Sequence, residues 1–278
     1  MNRSNGLHHN RNESQEMMHI LLTNDDGVSA PGLLALAQEL RQFGKVTVLA
    51  PDHNWSASGH TKTLHRPLRV SESVLADGTS AWATDGSPSD CVGLAVLGFL
   101  PDKIDLVLSG INPDANLGHD VTYSGTVMAA MEAAIWGLPG IAVSLDLPEN
   151  HLGPVDFAPA ARIARQITPA VMQRGLKKSV FLNVNVPYLP EAQMCGMSIT
   201  RLGLRVYRDA LDRRQDPRGR PYYWIGGEAP TGVPEEGTDI GALAQGAVSI
   251  TPLHTDLTSY PAVQDLSLWN LELELPEP

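Results

Sequence analysis

Short apolar runs in the first half of the chain alternate with longer segments in which apolar residues recur every three or four positions. The runs are rich in Val, Ile and Leu, which is typical of strands buried on both faces of a sheet. They predict four strands, at residues 18–23, 45–50, 104–109 and 140–145. A later run, "SVFLNVNVP" at 179–187, predicts a fifth strand.

The segments between the apolar runs predict helices. Leu33, Leu36, Ala37 and Leu40 share one helix face, and Ser87 with Asp90 forms a capping-box pattern. Early prolines and late glycines mark further starts and ends. The predicted helices lie within residues 31–43, 87–100, 124–136 and 157–174. Strands that alternate with helices predict an α/β fold with a mainly parallel sheet, and we expect Trp82 and Trp136 to lie in its core.

Composition narrows the classes of function. The net charge is −11 and the isoelectric point is about 5.2, which argues against binding to a nucleic-acid duplex or an anionic membrane. The two cysteines, Cys91 and Cys195, match neither a disulfide framework nor a zinc site. Residues 1–16 are polar, and no apolar run reaches the roughly 18 residues that a membrane helix needs. We therefore expect a cytoplasmic protein.

Polar side chains follow three of the predicted strands. "TNDDG" places Asp25 and Asp26 after the first strand, Ser56 lies in the loop after the second, and Asn112 follows the third. The carboxyl ends of parallel strands meet at one edge of the sheet, where α/β proteins bind ligands. Carboxylate, hydroxyl and amide oxygens suit Mg²⁺ or Mn²⁺, and such a cation would also remove the repulsion between the two aspartates.

A plain turn is the alternative explanation of "NDDG". Asn24, Asp25 and Gly27 are ordinary turn residues, and Asp26 would then cap the following helix. A similar alternative applies to Ser124, Gly125 and Thr126, which open a predicted helix. Free N–H groups and hydroxyls at a helix start can hold a phosphate, but Ser and Thr are also common as simple caps.

Taken together, these motifs resemble the SurE survival proteins, which are metal-dependent nucleotidases. The resemblance runs from about residue 18 to about residue 257 and rests on stretches that occur in a fixed order: "ILLTNDDGVSAPG", "APDHNWSASGH", "TDGSPSDCV", "DLVLSGIN", "NLGHDVTYSGTVMAAMEA", "DPRGRPYYWIGG" and "EEGTDI". It implies a Rossmann-like three-layer α/β fold, hydrolysis of nucleoside monophosphates, and one divalent cation, Mg²⁺ or Mn²⁺, per subunit.

The resemblance also implies a role for individual residues. The metal-site positions of the family match Asp25, Asp26, Ser56 and Asn112, and the two aspartates are the candidate catalytic residues. The phosphate contacts match Asn116, Ser124, Gly125 and Thr126. Many members have glycine two residues after the asparagine, whereas this chain has Asp114, which adds a negative charge near an anionic substrate.

The implied organisation is one SurE-like domain over residues 18–258, between a loose leader at 1–17 and a tail at 259–278. Within the domain, residues 18–185 form the core and 186–258 an arm region, which exchanges between subunits of a homodimer or homotetramer. Tyr222, Tyr223 and Trp224 are expected in interface or core packing or at a base pocket. Alternation from Leu271 suggests an edge strand or a solvated tail.

The expected reaction is hydrolysis by a water molecule that the cation activates and that Asp25 or Asp26 orients or deprotonates. His60 is a candidate donor to the leaving oxygen, although a loop histidine is more often simply solvated, as we expect for His53 and His119. A non-enzymatic nucleotide sensor is the alternative. A haloacid-dehalogenase-like phosphatase is disfavoured, because its nucleophilic aspartate stands two residues before a second aspartate, and here Asn24 occupies that position before Asp26. A dehydrogenase is disfavoured as well, because the chain has no GxGxxG dinucleotide fingerprint.

Overall fold

Strands and helices alternate along residues 17–269 and 271, the part of the chain that this computed structural model describes. The strands are β1 (His19–Thr23), β2 (Lys45–Pro51), β3 (Val70–Val74), β4 (Ser80–Thr84), β5 (Leu106–Asn112), β6 (Gly140–Asp146), β7 (Val180–Pro187), β8 (Met197–Ile199), β9 (Arg205–Gln215), β10 (Pro221–Gly232) and β11 (Val248–His254). The helices are α1 (Pro31–Leu40), α2 (Pro88–Leu94), α3 (Gly125–Ile135), α4 (Ala158–Arg174), α5 (Asp239–Ala244) and α6 (Tyr260–Ser267). The five strands predicted from apolar runs are confirmed.

The main sheet has the order β3-β4-β2-β1-β5-β6-β7-β11-β8. The pairs from β4 through β7 are parallel, whereas β3 runs antiparallel to β4 and β11 antiparallel to β7. The prediction of a mainly parallel sheet is therefore confirmed. Because β2, β1 and β5 are neighbours, the three polar strand ends meet at one edge.

Helices cover both faces of this sheet, so the three-layer architecture is also confirmed. On β1, Ile20 and Leu22 belong to the same apolar cluster as the buried residues of α1 and α4. Leu21, which points to the opposite face, packs in a cluster with residues of α2 and α3. Strands buried on both faces require a continuous apolar sequence, which explains the pattern in β1.

Two expectations about the core need correction. The helix predicted over 87–100 ends at Leu94, and a π-helical turn follows at Ala95–Phe99, where Gly98 has a φ of 106°. Trp136 is not a core residue, because 38% of it is exposed. Trp136 is the C-cap of α3, and its indole N–H donates to Glu132 one turn earlier, which holds the ring at the surface. Trp82 is partly buried against the α2 and α3 side of the sheet.

The predicted arm region contributes to two sheets. β8 and β11 extend the main sheet, whereas β9 and β10 form a separate antiparallel hairpin. Tyr222, Tyr223 and Trp224 are exposed on this hairpin, so core packing is wrong for them. Their role in an interface stays a prediction. No helix of the described residues is long and apolar enough to cross a membrane.

The predicted termini lie mostly beyond the described residues. Of the leader at 1–17 only Met17 is described, and of the alternating segment that begins at Leu271 only that first residue is described. Within the predicted tail, α6 is a helix with no buried residue.

Gly140 tests the close packing of α3 on the sheet. A Cβ at Gly140, the first residue of β6, would lie 2.2 Å from the carbonyl oxygen of Ala130. Because backbone atoms cannot move aside cheaply, we expect Gly140→Ala to lower the free energy of unfolding by about 1–3 kcal/mol. Chemical denaturation measures this change. The matched control is Gly93→Ala, where a Cβ meets nothing within 4 Å, and which should cost no stability.

Candidate active site

A cavity of about 580 Å³ opens at the carboxyl ends of the parallel strands. Five of the residues predicted for the site line it: Asp25, Ser56, Asn112, Asn116 and Ser124. The other three are not part of the lining: Asp26 and Gly125 each follow a lining residue in the chain, and Thr126 follows Gly125. The strand-end argument therefore places most of the predicted residues around one cavity.

The turn after β1 carries the two adjacent aspartates. The Asn24 side chain donates to the carbonyl oxygen of Gly27 at 3.0 Å and accepts from its N–H at 3.2 Å. Gly27 has a φ of 103°, which other residues rarely adopt. The turn interpretation is thus correct for Asn24 and Gly27. It is wrong for Asp26, because the first residue before α1 is Ala30 and no side chain caps that helix.

The Asp25 carboxylate is buried against the first turn of α3. Its Oδ2 accepts the Thr126 N–H at 3.1 Å, and its Oδ1 accepts the Thr126 hydroxyl at 2.5 Å. Burial raises the pKa of Asp25, and the hydrogen bonds from Thr126 oppose that rise. A Cβ at Gly125 would lie 2.8 Å from the Asp25 Cβ, so glycine permits this approach. The donors of Thr126 are bonded to Asp25, and its contact with phosphate stays a prediction.

The Asp26 carboxylate, in contrast, accepts no hydrogen bond from the described residues. Burial, together with the nearby negative charges of Asp25 and Asp114, raises the pKa of Asp26 to about 7. A bound cation would relieve the repulsion between these close carboxylates.

Ser56 and Asn112 add further oxygen atoms. The Asn112 amide donates through Nδ2 to the carbonyl oxygen of Asp114 at 2.5 Å, which leaves Oδ1 without a partner among the described residues. The Ser56 hydroxyl likewise makes no hydrogen bond within the described chain. These oxygens and the two carboxylates fit a hard divalent cation. Among the described residues, no group of three or more His, Cys, Asp or Glu side chains could hold a metal ion. A cation site here would therefore need the Ser56 hydroxyl and the Asn112 amide as ligands in addition to the two carboxylates.

Asn116 is held by residues that the sequence reasoning missed. Its N–H donates to Asn185, its carbonyl oxygen accepts from Asn183 and Asn185, and its Nδ2 donates to the Ser144 hydroxyl at 2.7 Å. All four residues are buried. The sequence does contain a signal for these contacts. Asn183 and Asn185 are two positions apart in β7, which places both on one face of an otherwise apolar strand.

The outer part of the cavity is acidic, and the sequence reasoning also missed its single cationic side chain. Four carboxylates line it besides Asp25: Asp114, Asp120, Asp146 and Glu149. Among the described residues of the lining, Arg205 alone is positively charged. Its Nε donates to Asp120 at 2.5 Å, and the Tyr207 hydroxyl donates to the other oxygen of that carboxylate. The base of β9 therefore forms one wall.

The candidate histidines lie outside the lining of the cavity. Nε2 of His60 is 2.8 Å from Oε2 of the buried Glu132, and Nδ1 of His53 is 2.5 Å from Oδ1 of Asp52. His119 lies in a short 3₁₀ turn before α3. The structure thus gives His60 a carboxylate partner, and its role as a donor to the leaving oxygen stays a prediction.

Removal of the Thr126 hydroxyl tests the support of Asp25. We expect Thr126→Val, which keeps the shape of the side chain, to lower the free energy of unfolding by about 1–3 kcal/mol, because a buried carboxylate loses a hydrogen bond. Thr122→Val is the control: its hydroxyl donates to the carbonyl oxygen of His119 at an exposed position, and the change should stay within about 0.5 kcal/mol. Equal losses in the two variants would contradict this assignment.

Comparison with known proteins identifies the family of this chain and agrees with its fold. A family model described as survival protein SurE matches residues 20–209. A 5'-nucleotidase SurE of Herpetosiphon aurantiacus is 56% identical over 91% of this chain and 99% of its own, and one of Geobacter sulfurreducens is 50% identical over 94% and 97%. A crystal structure of the SurE protein from Aquifex aeolicus superposes with a TM-score of 0.75 at 41% identity and covers 90% of this chain and 98% of its own. The chain belongs to the SurE family.

Proposed function

We propose that this protein is a divalent-metal-dependent 5'-nucleotidase that hydrolyses nucleoside monophosphates to nucleoside and phosphate. The observation that carries the proposal is that Asp25, Ser56 and Asn112 line, together with Ser124 at the start of α3, one cavity large enough for a nucleotide, with Asp26 directly after Asp25. The relatives named as 5'-nucleotidases, similar over nearly the whole chain, support the activity.

The phosphate group would bind between Ser124 and Asn116. Ser124 is the N-cap of α3, and its oxygen accepts the N–H of Val127 at 3.1 Å, so its hydroxyl hydrogen remains available as a donor. The positive end of the helix dipole lies at the same point. Asn116 has one amide hydrogen that is not used by Ser144. These groups bind an anion without a lysine or arginine.

Asp25, Asp26, Ser56 and Asn112 would hold one Mg²⁺ or Mn²⁺ per subunit. When bound, the cation supplies a counter-charge for the phosphate oxygens and lowers the pKa of water. Asp25 is fixed in orientation by Thr126, whereas the Asp26 carboxylate is free of hydrogen bonds within the described chain. Either carboxylate can orient the attacking water or accept its proton, and the leaving oxygen of the nucleoside takes up a proton as its bond to phosphorus breaks.

Phosphate release measures this proposal directly. Chelator-stripped protein should be inactive on nucleoside monophosphates and regain activity when Mg²⁺ or Mn²⁺ is added. Asp26→Asn should lose more than about 100-fold in kcat/KM, because loss even of a residue that only supports a metal ligand typically costs 10–100-fold. The control is Asp102→Asn, an exposed residue paired with Lys45, which should retain wild-type activity.

The outcomes separate an enzyme from a sensor. Release that depends on metal and disappears in Asp26→Asn supports hydrolysis, and the panel of nucleotides then ranks the substrates. Tight nucleotide binding without release under any ion would contradict the proposal and favour a nucleotide sensor.

Asp114 should weaken the binding of the anionic substrate. Its charge acts on Asp26 and on Asp146, which places it between the inner and outer parts of the cavity. We expect Asp114→Asn to lower the KM for a nucleoside monophosphate about 2–10-fold at low ionic strength, through reduced repulsion. Because the screening length is about 10 Å at 0.1 M salt, the difference in KM between the variant and wild type should shrink as salt is added. A KM that changes neither with the substitution nor with the salt concentration would contradict this role.

A further inference from the structure

The loop of residues 52–63, here called the Ser56 loop, brings one predicted metal ligand to the cavity from outside the sheet. Ser56 and Ala57 line the cavity at the tip of this loop. Ala57 has a φ of 58°, in the left-handed region that residues with a side chain rarely occupy. Such a conformation costs on the order of 1 kcal/mol or more and persists only where the surroundings hold it.

Two backbone hydrogen bonds hold the tip. The Trp55 N–H donates to the carbonyl oxygen of Asp25 at 2.7 Å, and the Gly59 N–H donates to the carbonyl oxygen of Tyr123 at 2.9 Å. These bonds tie the loop to the two segments that carry the inner site, the turn after β1 and the start of α3.

The distal part of the loop is held through a buried carboxylate on α3. Only 2% of the Glu132 side chain is exposed. Its Oε2 accepts from Nε2 of His60 at 2.8 Å, and its Oε1 accepts from Nζ of Lys62 at 2.9 Å and from the indole N–H of Trp136 at 2.8 Å. Burial alone would raise the pKa of Glu132, but these three hydrogen bonds outweigh it and lower the pKa to about 2.

The other side of the same segment is bound to α2. The Ser87 hydroxyl donates to the carbonyl oxygen of Thr61 at 2.6 Å, and Asp90 accepts the N–H of Thr63 at 2.9 Å. Side chains of residues 60 and 62 thus bond to α3, while backbone groups of 61 and 63 bond to α2. The segment is fixed between the two helices that cover one face of the sheet.

From these contacts we propose that Glu132 is a positioning residue for the active site: by holding His60 and Lys62, it fixes the Ser56 loop so that Ser56 reaches the divalent cation. The inference rests on the proposed function. A buried ion pair is seldom the most stable choice for a helix face, because apolar residues of similar size often serve stability equally well. A carboxylate here is explained by the geometry it imposes on two loop side chains.

Variants on the two sides of Glu132 test the proposal. His60→Gln and Lys62→Met remove loop donors, whereas Trp136→Phe removes a donor at the C-cap of α3, outside the loop, and is the matched control. For chelator-stripped protein we expect both loop variants to weaken Mn²⁺ binding, measured by calorimetry, about tenfold, or ~1.4 kcal/mol. Trp136→Phe should stay within about twofold of wild type. Glu132→Gln should behave as the loop variants do, since a neutral amide cannot accept from all three donors.

A second readout does not depend on the cation. Hydrogen exchange of peptides that cover residues 52–63 should become faster in the loop variants and in Glu132→Gln, in the absence of metal and substrate, and remain slow in Trp136→Phe. The melting temperature of each variant is measured together with its hydrogen exchange. Faster exchange and weaker Mn²⁺ binding at an unchanged melting temperature support positioning.

Three results would overturn the proposal. If the loop variants bind Mn²⁺ and exchange as wild type does, Glu132 serves stability alone. If His60→Gln reduces kcat more than about 100-fold with unchanged Mn²⁺ affinity, His60 acts on the leaving group instead. If wild-type protein binds no divalent cation, the proposed function fails together with the cation part of the inference. That case is recognised from the wild type alone, and hydrogen exchange still decides whether Glu132 fixes the loop.

Discussion

The hydrogen bonds between Asp25 and Thr126 are the constraint on which the arrangement of the site depends. They join the end of β1 to the first turn of α3 across 101 positions of sequence. One carboxylate takes both donors of Thr126, which fixes the orientation of the Asp25 side chain. The backbone carbonyl of Asp25 separately accepts the N–H of Trp55 in the Ser56 loop. Strand, helix and loop therefore meet at one residue, whereas the carboxylate of the adjacent Asp26 accepts no hydrogen bond from the described residues.

The topology of the site follows from the sequence because parallel strands impose it. Apolar runs fix β1, β2 and β5, and the rule for α/β sheets then brings Asp25, Ser56 and Asn112 to one edge. Periodicity gives no information on which distant side chains bond to each other. The contacts of Asn116 with β7 and of Glu132 with the loop arise from packing across the fold, and so they were not predicted.

Predictions from residue type alone also fail for side chains that combine an apolar part with a polar group. Trp136 was expected in the core for its large ring, yet its N–H has a partner at the surface in Glu132, and Lys62 lies over the ring at 5.5 Å. Arg205 shows the reverse case. It belongs to a charged segment that the family resemblance assigns to an arm between subunits, but Asp120 holds it in the wall of the cavity. The shape of the cavity thus depends on the base of the hairpin as well as on the sheet.

The support that each predicted ligand receives differs with the element that carries it. Asn112 ends β5 and is still paired there with Ser144 of β6, and Asp25 follows the end of β1 by two residues, so the central strands place both residues close to the sheet. Ser56 has no such support and sits beside a strained residue, Ala57. A loop in this situation adopts many conformations unless other contacts restrict it, and restriction before binding reduces the entropy lost when a ligand is bound. The buried carboxylates Glu132 and Asp90, on the two helices of that face, supply the restriction that the sheet supplies elsewhere.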